Sequence, residues 1–258
     1  MIPFLRRVAR RLGTIAAPFL VFGVCWELAS GPILDARFFP PPSAVLSLAV
    51  ELYLEEGFLT HVLASLQRIL LATALGATSG VVVGLVAGWS RKVGWVLNPH
   101  LALLYPVPKV ALLPVLFVVL GGTEMVRVLT MSLAVFLLVA IDTMGGVREI
   151  DDVHVEVALD NGAGPLALYR EVILPGTLPQ VFSAVSMGFS VGFALLVVIE
   201  MLAAESGLGY VIWNSWQLFT IPRMYVAVLT INVLGVVFVH GTEMLGDVLT
   251  PWEHGQRR

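Results

Sequence analysis

Two ionisable side chains stand where the surrounding sequence is apolar. Glu200 lies in "VVIEMLAAESGLGY" and Arg68 in "ASLQRILLATALG". A charged group inside hydrocarbon is costly, so such residues are candidates for function. Glu200 has two readings: a translocation or gating carboxylate, or a group near the membrane interface that bonds the "SGLG" turn after it. Arg68 can attract an anionic solute, snorkel to the interface, or pair structurally; Glu200 is one available partner. Ser186, Ser190 and Gly192 give their stretch a small, polar side that either lines a pathway or packs helices. Asn232 and His240 carry the same two readings. Lys109, after "PVP", is an interfacial anchor or a solute contact.

Other chemistries are excluded. The five histidines, at positions 61, 100, 154, 240 and 254, show no metal-ligand spacing, and the one cysteine, Cys25, sits in an apolar run as a small packing residue. No Ser, His and acid set forms a catalytic group. The only lysines are Lys92 and Lys109, and neither follows a glycine, so a phosphate-cradling Gly-x-x-x-x-Gly-Lys-Ser/Thr loop is absent. The expectation is a chain that is not an enzyme, with no metal or cofactor of its own. No basic stripe exists for nucleic acid.

The elements that carry these residues are membrane helices. Of 258 residues, 58% are hydrophobic and 13% charged, against about 25% charged in a soluble domain. A crossing helix needs about 20 apolar residues. Six runs qualify, near 13–30, 61–90, 101–120, 127–146, 180–203 and 225–247. They form one all-α membrane domain over 1–258. None shows the strict alternation of a barrel strand. Pro106, Pro108 and Pro114 are expected to distort the third run.

Lys and Arg bias orients the bundle. With the N-terminus cytoplasmic, that side holds Arg6, Arg7, Arg10, Arg11, Arg91, Lys92, Arg148, Arg170, Arg257 and Arg258. The outer side holds Arg37, Arg127 and Arg223. Both termini are then cytoplasmic. The first 30 residues also resemble a signal peptide, but Trp26 and Glu27 make a poor cleavage region, so the run is expected to be retained. After it, Pro40 to Pro42 stop a helix, and Ser43 is placed to cap a new one. Val45, Leu48, Ala49 and Leu52 share its apolar face, with Glu51, Glu55 and Glu56 elsewhere. That suits a surface-lying helix or one packed on the bundle.

Gly76, Gly80, Gly84 and Gly88 repeat every fourth residue and so share one helix face. Four small residues in register let two helix backbones touch. The neighbour is either within the chain or in a second copy.

Residues 148–179 interrupt the oily pattern. Asp151 and Asp152 suit a helix start. Asn161-Gly162 signals a turn, and Pro165 suits a first helical position. Pro175 is expected to end that second helix and Pro179 to open the next span. Two short helices joined by a glycine turn make a rigid elbow that can dock in a groove on another protein.

Within this elbow, Glu156, Ala158, Gly162, Val172, Leu174 and Pro175 follow the spacing Glu-x-Ala, three residues, Gly, nine residues, an aliphatic residue, one residue, Leu-Pro. That pattern resembles the "EAA" signature of permease subunits in ATP-binding-cassette importers. Val157 replaces the usual second Ala, and Val172 the usual Ile. "PVPKVALLPVLFVVLGGTEMVRVL", "IEMLAAESGLGYVIWNS", "FFPPPSAV" and "ASLQR" are similar to the nitrate, sulfonate and taurine permease subfamily, so the likeness runs from about residue 26 to near the C-terminus.

The resemblance implies a type I importer permease in a bacterial or archaeal inner membrane. It implies a coupling loop seated on a cytoplasmic ATPase dimer, which binds the ATP and Mg. It further implies an extracytoplasmic solute-binding protein and a second permease copy. One coupling loop per chain suggests a homodimer. The solute is expected to be a small organic or inorganic anion such as sulfonate, taurine or nitrate. An autonomous secondary transporter or channel, or a non-transporting membrane scaffold, are the rival readings.

Overall fold

The computed structural model describes Pro18 and residues 20–54 and 56–252. Among these residues every regular element is helical, with one isolated bridge between Ser30 and Leu34. Residues 13–17 and 19 of the expected first span lie outside the described residues. Its described part is α1, Leu20–Ala29.

Among the described residues, four helices are long and apolar enough to cross a membrane, or five if one bent pair is a single span. The first is α3, Glu56–Trp89. Next come α4, Arg91–Leu104, a 3-10 turn Lys109–Leu112, and α5, Leu113–Leu120. The third run, expected at 101–120 with a proline distortion, is part of a broken pair: Arg91–Leu104 and Lys109–Leu120 meet at an 88° bend. Pro106 and Pro108 lack backbone N–H groups, so the α4 hydrogen-bond ladder stops after Tyr105, which itself keeps helical angles and donates to the Leu101 carbonyl. Pro114 causes no distortion, because it sits in the first turn of α5, where a missing donor costs nothing.

α6, Glu124–Arg148, is the axis of the bundle and buries residues along its whole length, among them Met131, Val135, Val139, Ala140 and Met144. The glycine stripe of α3 faces it. A Cβ at Gly80 would lie 2.9 Å from the Phe136 carbonyl oxygen, and one at Gly84 would lie 2.6 Å from the Thr143 Cβ. Gly76 and Gly88 meet Ser132 and Val147 in the same way. The stripe's neighbour is within the chain.

After α7, Asp152–Asp160, the chain turns into α8, Pro165–Leu168, then a π turn Tyr169–Ile173, then α9, Leu174–Ala203. These last three run on as one helix, Pro165–Ala203. Pro175 does not end a helix and Pro179 does not open one, contrary to expectation. The π turn widens the backbone just ahead of Pro175, with the Leu174 N–H bonding the Tyr169 carbonyl, so the proline ring passes without breaking the helix. α10, Leu208–Gln217, and α11, Ile221–Leu249, complete the bundle.

α2, Pro42–Leu54, lies against α11, where the Tyr53 and Thr230 hydroxyls are 2.9 Å apart. Val45 and Leu52 are buried, and Leu48 and Ala49 pack on the same core. Ser43 does not cap this helix. It lies inside the first turn, where its N–H and hydroxyl donate to the Glu27 carboxylate at 3.0 and 2.6 Å. The cap is supplied from α1.

Candidate functional site

At one end of the bundle the elbow projects beyond the apolar helices. The Asp151 carboxylate caps α7 by accepting from the Val153 N–H at 2.9 Å. The turn after α7 closes with the Ala163 N–H on the Ala158 carbonyl at 3.0 Å, and Gly162 adopts φ +82°, which a side chain would oppose. α7 buries no residue completely. Val153, Val157 and Leu159 are exposed, as are Glu156 and Gly162. Ala158, Val172, Leu174 and Pro175 are half-buried. Ala158, Val172 and Pro175 line a groove of about 810 Å³ between the elbow and Trp252. An exposed helix with apolar residues at i and i+4 is a surface made to be covered.

At the opposite end, the structure joins Arg68 to Glu200. The Arg68 Nη1 is 2.7 Å from the Glu200 Oε1, and their side chains are 5% and 0% exposed. Arg68 uses all its donors. Its Nε and Nη2 donate to the two Glu124 oxygens at 2.9 and 2.8 Å, and Nη1 and Nη2 also reach the Ser206 carbonyl and hydroxyl at 2.6 and 2.9 Å. A guanidinium has five N–H groups, and these five bonds occupy them.

The Glu200 carboxylate is equally engaged. It accepts the Ser65 hydroxyl at 2.8 Å and the Gly209 N–H at 2.9 Å, at the start of α10. The Ser65 oxygen in turn accepts the Leu208 N–H at 2.8 Å. Gly207 takes φ +113°, and a Cβ there would run into the Glu200 carboxylate. His61 accepts the Gly207 N–H at 3.1 Å and stacks on Tyr210. Arg127 bonds Glu124 at 3.0 Å and the Ala203 carbonyl at 2.6 Å. One network thus ties α3, α6, α9 and α10 together. Sequence reasoning missed Ser65, Glu124, Ser206 and the role of Arg127. The available signals were the Glu124/Arg127 spacing of three and the glycines at 207 and 209.

A third region is a cleft of about 500 Å³ between α9, α10 and α11, lined by Ser190, Phe193, Asn232, Val236 and His240. Ser186 is buried beside it, its hydroxyl 3.3 Å from the Val239 carbonyl on α11 and 3.4 Å from Glu243. His240 pairs with Glu243 at 2.8 Å, and the Asn232 amide donates to the Val228 carbonyl at 2.7 Å. Neither Arg68 nor Glu200 lines this cleft. Lys109 is also placed apart from it. Its ammonium donates to the Tyr105 carbonyl and lies 5.2 Å from the Tyr105 ring centre, anchoring the bend between α4 and α5.

Residues 80–252 match the family described as "Binding-protein-dependent transport system inner membrane component". The chain is 31% identical over 98% of its length to the taurine transport system permease protein TauC of Escherichia coli (strain K12), covering 93% of that protein. It is 27% identical over 89% of its length to the putative aliphatic sulfonates transport permease protein SsuC of Bacillus subtilis (strain 168), covering 83% of it. Its fold is similar to that of an inward-facing MetNI methionine ABC transporter chain, with TM-score 0.63, 17% identity and coverage of 74% of this chain and 94% of that one. It is also similar to a chain of a bacterial alginate ABC transporter solved with its periplasmic protein, with TM-score 0.63, 12% identity and coverage of 93% and 96%.

Proposed function

The chain belongs to the family of inner-membrane components of binding-protein-dependent transport systems, and we propose that its elbow passes the stroke of a separate ATPase into the helical bundle. The chain is the membrane-spanning permease of an ATP-driven importer. The observation that carries the coupling role is α7 itself: it is held rigidly by its caps, buries no residue completely, and presents Val153 and Val157 on an uncovered surface.

In this reading the Lys and Arg bias puts the elbow and both termini in the cytoplasm. Two copies of the chain assemble, each supplying one elbow to one subunit of an ATPase dimer. ATP and Mg are bound there, since this chain has no phosphate-cradling loop. Closure of the ATPase dimer moves the elbows as rigid bodies and opens the bundle outward. A solute-binding protein then delivers its cargo, and hydrolysis resets the bundle. Each state is favoured by its own contacts, which is alternating access biased by binding energy.

The relatives' names support a small organic anion of the sulfonate type, taurine included, as the solute. The cleft bearing Ser190, Asn232 and His240 offers hydroxyl, amide and imidazole groups for weak contact with it. The saturated Arg68–Glu200 network supports a structural role for that pair, because Arg68 has no N–H left for a solute.

Uptake into proteoliposomes tests this function. The permease with its ATPase and binding protein should accumulate solute with ATP, and a cysteine at Ala158 should crosslink to the ATPase during turnover. Uptake by the chain alone would instead identify a secondary transporter. Absence of uptake in every reconstituted assembly would leave a scaffold.

A further inference from the structure

We propose that the cleft between α3, α4, α6 and α7 binds the zwitterionic headgroup of a phosphoethanolamine lipid, with two arginines on the phosphate and Asp152 on the ammonium. The cleft holds about 980 Å³. Arg91 enters it from the first turn of α4, Arg148 from the last turn of α6 and Asp152 from the first turn of α7. All three are exposed, and among the described residues none of them pairs with another or with any other charged side chain. Gly94 leaves room for Arg148 to lie against α4, since a Cβ there would sit 2.7 Å from the Arg148 Nη2.

The electrostatics select the ligand. Arg91 at a helix N-terminus works against the helix dipole, so it gains from an anion brought to it. Guanidinium groups bind phosphate through paired N–H donors. Asp152 in the same cleft opposes a purely anionic ligand but accepts from a primary ammonium. A phosphatidylglycerol headgroup offers Asp152 only neutral hydroxyl donors and no charge to balance it, and a choline has no N–H to donate.

The position suits a lipid. Trp89 ends α3 and packs edge-on against Tyr169 at 5.9 Å, while Trp95, lining the cleft, is 82% exposed. Such aromatic side chains mark the headgroup level of a membrane, where basic pockets between helices take lipid phosphates. Val147 and Ile173 give the cleft an apolar wall for an acyl chain.

The test is lipid retention. The full-length chain is placed in nanodiscs of equimolar phosphatidylethanolamine, phosphatidylglycerol and phosphatidylcholine. It is then extracted into detergent, and the lipids that remain are counted by native mass spectrometry. Wild type should retain phosphatidylethanolamine in preference to the other two. R91Q/R148Q should retain about tenfold less of it, as expected for loss of charge-assisted bonds. D152N, an isosteric change at an exposed site, should keep lipid but lose the preference for phosphatidylethanolamine over phosphatidylglycerol. Millimolar soluble phosphoethanolamine should not displace the lipid; displacement would mean that the cleft takes a free headgroup and would overturn the lipid assignment. Unchanged retention in R91Q/R148Q, or an unchanged preference in D152N, also overturns it. If R91Q/R148Q keeps its lipid but no longer binds the ATPase, the cleft is a protein contact instead.

Discussion

The Arg68 guanidinium lies 2.7 Å from the Glu200 carboxylate, and neither side chain is more than 5% exposed. A buried pair of this kind is costly to break, because the survivor is left charged and desolvated. Arg68→Ala strands Glu200 with only the Ser65 and Gly209 donors, and should lower stability by about 3–5 kcal/mol. Glu200→Gln should cost less, since Glu124 still neutralises Arg68 and only one side of the amide, its NH2, is left facing a donor, the Arg68 Nη1 or the Gly209 N–H. Thermal unfolding of both variants in detergent checks the order. A Glu200→Gln variant as stable as wild type but dead in uptake would restore a direct role for this carboxylate in translocation.

The glycine stripe leads to a different kind of failure. At Gly84 the obstacles are the Thr143 Cβ at 2.6 Å and the Ala140 carbonyl oxygen at 2.7 Å, so α6 itself would have to move. Gly84→Leu should cost about 3 kcal/mol or more, at the upper end of overpacking, and reduce the amount of folded protein in the membrane. Gly145→Ala is the control: nothing lies within 4 Å of its Cβ position, and its effect should stay within about 1 kcal/mol. Equal effects at both sites would mean that the α3–α6 contact is not the constraint.

The unequal legibility of these features has a physical origin. The stripe and the elbow could be read because their signals are local: glycines four apart share a face whatever the fold, and Asp151, Gly162 and Pro165 act on their own backbone. A distortion at Pro106 and Pro108 was legible too, but not its 88° size or the harmless place of Pro114 in the first turn of α5, because apolar residues on both sides make one oily run. The π turn before Pro175 reversed a rule that is usually sound, since a widened turn lets a helix continue through proline. The Arg68 network could not be assembled from sequence. The partners of Arg68 lie 56 to 138 residues from it, and only the register of α3, α6, α9 and the turn before α10 brings them together. The alternative that Glu200 bonds the "SGLG" turn was open because that turn follows it directly.

For the cleft between α9 and α11, blocking is more informative than deleting contacts. Ser190→Trp would fill much of its approximately 500 Å³ without touching the elbow. Uptake should be lost while the ATPase remains bound and active. Asn232→Ala, which removes an amide already satisfied by the Val228 carbonyl, should change the apparent affinity for solute only slightly. Normal uptake by Ser190→Trp in the reconstituted transporter would move the pathway elsewhere.

The elbow makes the sharpest demand on the coupling proposal, because its geometry can be altered without touching the bundle. Gly162 holds φ +82° with open space around its Cβ position, so the penalty for a side chain is conformational, not steric crowding by neighbours. Gly162→Val should strain the turn by about 1–2 kcal/mol and tilt α7 away from the ATPase groove. The variant should insert normally and lose no more stability than that local strain, since α7 buries no residue completely, yet ATP hydrolysis should no longer drive uptake. Ala158→Trp acts on the same surface by bulk and should give the same uncoupling with the turn unstrained. Measuring hydrolysis and uptake together in both variants separates the two causes. If both stay fully coupled, the ATPase is not gripping this elbow.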